Sequence, residues 1–109
     1  MLNSSYAKND REDDVGGYEP INTNNPSLIN TLNKSKSQFQ RRLCLKELPT
    51  FGKIEKAFQQ IVAGKNFEVH DLEVLADGEK RLCYAVIFAP LFDQRPEIQS
   101  LKCVRLVYV

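Results

Sequence analysis

From Asn25 to Leu43, apolar side chains recur every three or four residues; from Thr50 onward the period drops to two. Leu28, Ile29, Leu32, Phe39 and Leu43 fall on one helical face, with Ser35 filling the gap. Lys34, Lys36, Gln40 and Arg41 fall largely on other faces. Asn25 is suited to cap the segment and Pro26 to its first turn. Arg41 and Arg42 stand where cations complement the helix dipole. The stretch predicts one long amphipathic helix ending between Arg42 and Cys44. A single apolar stripe has to be covered, and the rest of the chain offers only strands to cover it.

"TFGKIEKAFQQIV" alternates imperfectly, which places a bulge near Gly52. "NFEVHDLEVL" presents Phe67 and Val69, then Leu72 and Val74, with a shift of phase between the pairs. Asp77-Gly78 is a hairpin turn. "KRLCYAVIFA" is an apolar strand, "PLFDQRPE" a loop between Pro90 and Pro96, and "IQSLKCVRLVYV" a closing strand. The order predicts an α+β fold: one helix on an antiparallel sheet of four strands, with Val15 to Ile21 adding a short fifth at the edge. In such a meander alternate connections share an end. Gln60 to Gly64 and Pro90-Leu91 then lie at one rim, within reach of Val15-Gly16-Gly17, while Asp77-Gly78 lies at the other.

A chain of 109 residues fits one domain. Residues 1–14 are polar and aperiodic and read as a flexible tail ahead of a domain over 15–109. A net charge of +1 gives no electrostatic basis for nucleic-acid or membrane binding. No apolar run reaches spanning length. The opening "MLNSSYAKNDREDD" lacks a signal core, which fits a cytosolic chain or a mature secreted form with an initiator Met. Cys44, Cys83 and Cys103 form no CxxC pair, and His70 is the only histidine, so neither a zinc site nor another cofactor is expected. The odd count fits one disulfide plus one free thiol. His70 stands beside Asp71 in a strand, with no Cys/His pair in a shared element, so an enzyme is not expected. Asn3-Ser4-Ser5 and Asn33-Lys34-Ser35 are glycosylation sequons. The second lies inside the predicted helix, where modification is not expected.

Gln60-Ile61-Val62-Ala63-Gly64 matches the Gln-x-Val-x-Gly motif of the cystatins, inhibitors of papain-like cysteine proteases. Gly16 resembles the glycine of that family's N-terminal trunk, and Pro90-Leu91 stands where the family usually has Pro-Trp. The likeness runs from about Val15 to Cys103. It implies a cystatin-like fold and a Cys83–Cys103 disulfide like the second bridge of the secreted, type 2 members. That bridge points to an oxidising compartment and thus a secreted protein, with a cytoplasmic one as the alternative. The resemblance further implies a reversible, tight-binding wedge with no covalent step. Val15, Gly16 and Gly17 would occupy the non-primed side of a protease cleft. Gln60, Ile61, Val62, Ala63, Gly64, Pro90, Leu91 and Phe92 would cover the primed side.

The pattern is departed from in places. Leu91 replaces Trp, a loss of about 1–2 kcal/mol of contact unless Phe92 substitutes. The first type 2 disulfide is absent, Cys44 has no counterpart, and "VRLVYV" runs past Cys103. The loop after the helix has no Asn of the kind with which some cystatins block legumain. The fold also serves in non-inhibitory binding modules such as the cathelicidin propiece; the intact QIVAG argues against that alternative and Leu91 for it. Val62, at a hairpin tip, is expected to be strained. Opening the hairpin would convert the monomer into a domain-swapped dimer.

Overall fold

The computed structural model describes residues 17–92 and 94–106. The predicted tail over residues 1–14 lies outside them, as do Val15 and Gly16. The elements run β1 (Glu19–Ile21), α1 (Pro26–Lys34), α2 (Lys36–Arg42), β2 (Thr50–Phe51), β3 (Lys56–Val62), β4 (Gly64–Ala76), β5 (Glu79–Ala89) and β6 (Glu97–Arg105). The fold is α+β, with the helices packed against one antiparallel sheet ordered β1-β3-β4-β5-β6, and β2 pairs with the far half of β4.

The helical stripe folds as its spacing dictates. Asn25 caps α1, its Oδ1 accepting from the backbone N–H of Ser27 (2.9 Å) and Leu28 (3.1 Å). Leu28, Thr31, Leu32, Ser35 and Phe39 are buried. The one long helix is corrected to two. Ser35 turns its hydroxyl onto the Thr31 carbonyl at 2.7 Å, and its own N–H bonds to Leu32 O, three residues back. A serine bonding backward in this way bends a helix, so α1 stops at Lys34 and α2 restarts at Lys36.

The inner face of the sheet carries Ala57, Phe67, Val69, Leu72, Val74, Cys83, Ala85, Ile87 and Ile98, which form one cluster with Leu28, Leu32 and Phe39. The phase shift in β4 is a bulge. Val69 pairs with Ala85 and Leu72 with Cys83, so His70 and Asp71 together oppose a single residue, and Asp71 takes φ 52°. Without it, Leu72 and Val74 would face solvent. Cys83 and Cys103 pair directly across β5 and β6, with Cα atoms 4.1 Å apart, and are disulfide-bonded. Closing a loop of this length contributes roughly 3 kcal/mol. Cys44 is free and exposed.

Two strand expectations are corrected. The sheet has six strands, not four or five. The bulge near Gly52 is instead a break, with β2 and β3 separated by residues 52–55. Glu73 holds that break to β4. Its carboxylate accepts from the Lys53 N–H at 3.0 Å, its carbonyl accepts from the Gly52 N–H, and its N–H donates to Lys53 O. A side chain at Gly52 would run into Glu73 Oε1.

The far end is clasped reciprocally. The Asp77 carboxylate accepts from the N–H groups of Lys46 and Glu47, while its own N–H donates to Glu47 Oε2. Asp77 (φ 56°) and Gly78 (φ 73°) form the expected two-residue turn.

The Lys53 N–H, with lesser help from Lys80, holds the Glu73 carboxyl below its ordinary titration range. A group with a depressed folded pKa stabilises above its unfolded pKa and loses that contribution as the pH falls through the folded one. Glu73→Gln therefore lowers stability to urea at pH 7, and the gap from wild type closes as the pH falls below about 4.

Candidate functional site

At the rim opposite Asp77, β3 and β4 join through Ala63 alone. The reversal is carried by Gly64 at φ 119°, whereas Val62 stays outside the left-handed region. The backbone strain expected at Val62 is thus corrected: the glycine absorbs it, because without a Cβ that conformation is accessible. A Cβ built on Gly64 would lie 2.5 Å from the Ala89 carbonyl oxygen and 3.1 Å from Pro90 Cα. This close approach seats the hairpin tip against the end of β5 and the Pro90 loop. Gln60 and Asn66 face each other across the hairpin, and the Asn66 amide donates to Gln60 Oε1 at 2.9 Å. Lys65 Nζ reaches the Ser27 hydroxyl at the start of α1, at the limit of hydrogen-bond range.

Two expected loops are therefore together. Ile61 is 56% exposed, Val62 44%, Leu91 51% and Phe92 88%. Phe92 also has φ 63°, in the left-handed region a bulky residue avoids. An aromatic ring held almost fully in water by an unfavourable backbone is costly twice over, and such outliers concentrate at binding sites. Gly17 approaches the same rim: β1 pairs Glu19 with Gln59, and two further places in that register lead to Ile61. Val15 and Gly16 lie outside the described residues. Asn66 and Ala89 were not singled out by sequence; only counting back across the hairpin from Gly64 would have found Asn66.

The rim offers no acid, base or thiol among Gln60 to Gly64 and Pro90 to Phe92. Its chemistry is that of uncharged, partly apolar surface. His70 lies elsewhere, on the outer face of the sheet. Its Nε2 is 3.1 Å from Glu68 Oε1, and Phe58 and Tyr84 stand edge-on to its ring at 5.5 and 5.2 Å. Tyr84 donates to the same carboxylate at 3.0 Å. Among the described residues, no three His, Cys, Asp or Glu side chains gather as a metal site.

Human cystatin F, in its dimeric crystal structure, superposes with a TM-score of 0.65 at 19% identity. The match covers 94% of this chain and 99% of that one. The chain has the cystatin fold. No protein-family model matches the sequence, and no curated protein matches it.

Gly64→Ala will force the tip away from Ala89 and lower the unfolding free energy by roughly 3 kcal/mol. Gly78→Ala, in open space, will cost about 1 kcal/mol. Urea titration of the two variants measures the difference, which combines the less accessible φ of Gly64 with its clash against the Ala89 carbonyl.

Proposed function

We propose that this protein inhibits papain-like cysteine proteases as a reversible, tight-binding wedge. The observation that carries the reading is the convergence of Gln60–Gly64 and Pro90–Phe92 at one rim, with Ile61, Val62, Leu91 and Phe92 exposed. A groove that binds extended peptides presents apolar pockets and backbone hydrogen-bonding groups, and this rim presents matching apolar side chains on a narrow edge. Ala63 and Gly64 keep the tip slim enough to approach a nucleophile closely. Because no scissile bond is held in attacking alignment, the wedge is not cleaved. The tip is set before association by the Gly64 seat and the Asn66–Gln60 bond. A rigid wedge loses little entropy on binding.

Phe92 replaces the missing Trp in this reading. It follows Leu91 directly and projects into solvent, so its ring supplies the apolar area that Leu91 lacks. Val15, Gly16 and Gly17 line the non-primed side. The Cys83–Cys103 bridge, which persists in oxidising surroundings, supports secretion. The active species is the monomer; a hairpin opened into a swapped dimer would lose the Gly64 seat and with it the wedge.

Titration of papain with the purified chain tests the proposal: stoichiometric, reversible inhibition is expected. Phe92→Ala will raise the inhibition constant about ten- to a hundredfold, the equivalent of burying one Phe ring. No inhibition by the wild-type monomer would leave a cystatin-fold binding module without inhibitory activity. An unchanged constant for Phe92→Ala would remove the ring from the contact.

A further inference from the structure

We infer, against the expectation from its place inside the helix, that Asn33 is an N-glycosylation site, modified while the chain is being made and before the helices dock. Asn33 is exposed on α1, yet its sequon partner Ser35 is completely buried, with its hydroxyl donated to Thr31 O. In the folded protein the hydroxyl that an oligosaccharyltransferase must read is out of reach. Asn33 itself is exposed and has room for a sugar after folding, so its modification depends on when Ser35 becomes buried.

Ser35 is buried late. The side chains that cover the helical stripe are Phe67, Val69, Leu72, Val74, Ala85, Ile87 and others that follow it in the chain. Ile54 and Ala57 of the same buried cluster follow Ser35 by 19 and 22 residues, and its remaining sheet residues by 32 or more. The helix cannot form alone in the meantime. "PSLINTLNKS" is rich in Ser, Asn and Thr, which are poor helix formers, and the segment is shorter than an isolated helix needs in water. The nascent sequon is thus extended and accessible. The inference rests on the secretion proposed above, which the Cys83–Cys103 disulfide supports.

The donor is an oligosaccharide joined through its anomeric carbon to a lipid diphosphate. Asn33 Nδ2 forms a bond to that carbon as the C–O bond to the diphosphate breaks; the diphosphate leaves with the electron pair, and the amide gives up one proton. In the folded protein the sugar then stands at the mouth of an apolar cavity of about 280 Å³, which Asn33 lines together with Ile29, Leu32, Lys36, Phe51 and Ile54. That cavity is beside β2, whose partners on β4 are Val74 and Leu75. Val74 is ten residues along β4 from Gly64, about 30 Å, so the glycan leaves the Gln60–Gly64 rim open.

The test uses the full chain secreted from a eukaryotic cell behind an added signal sequence, with Asn3→Gln removing the other sequon. Peptide-N-glycosidase digestion in heavy-oxygen water, followed by peptide mass spectrometry, reads each site in both medium and cell lysate. The expected result is a glycan on Asn33 that is absent from Asn3→Gln/Asn33→Gln. An Asn3→Gln protein that carries the Cys83–Cys103 bridge, and so has entered the compartment, but has unmodified Asn33 in both fractions overturns the inference. Both outcomes are read without reference to protease inhibition.

Discussion

The packing of one helical stripe against β4 and β5 is the constraint on which the rest depends. Leu28, Leu32 and Phe39 meet Phe67, Val69, Leu72, Ala85 and Ile87 across the sheet, and Phe39 also stands edge-on to Phe51 at 4.9 Å. Each of the largest side chains in this layer, Phe39 and Phe67, would cost about 3–5 kcal/mol to truncate. The sheet has to keep its apolar face continuous under the helices, and the Asp71 bulge serves that need by restoring the parity of Leu72 and Val74. The bulge, the break at residues 52–55 held by Glu73, and the bend at Ser35 are local adjustments to that one interface.

The rim is a by-product of the same sheet, placed where packing no longer constrains it. Its shape rests on backbone rather than on a core. Gly64 occupies a conformation and a space open only to glycine, and Phe92 is held at positive φ with its ring in water. A side chain removed from water by nothing in its own chain is a cost that only an outside surface can offset, which is why the proposal rests on the rim and not on the outer-face cluster. Glu68, His70 and Tyr84 satisfy one another there, as buried polar groups in a stable sheet do.

Much of this was legible in the residues. The drop in apolar period after Leu43 announces helix then sheet, and the phase shift between Val69 and Leu72 announces the bulge. The parity of a meander is enough to bring Gln60–Gly64 and Pro90-Leu91 to one end. What was not legible depends on distant partners. The apolar stripe passes straight through Ser35, so nothing in the pattern marks a break that arises from where one hydroxyl finds an acceptor. β2 exists because β4 is 13 residues long and overhangs β3, a fact about another strand's length. The strain assigned to Val62 lies two residues on, because a glycine stood ready to take it. Asn66 has no signature of its own; its role follows from the register.

The clasp between Asp77 and the Lys46–Glu47 backbone has a practical side. It fixes the loop that carries Cys44 at the end of the molecule away from the rim. Cys44 is exposed and is the one thiol of the three not spent in the bridge. A fluorophore or affinity handle coupled to it would sit on a braced loop, uniquely addressed by maleimide chemistry. The protein thus carries a built-in attachment point through which it can be immobilised or tracked with its rim facing outward.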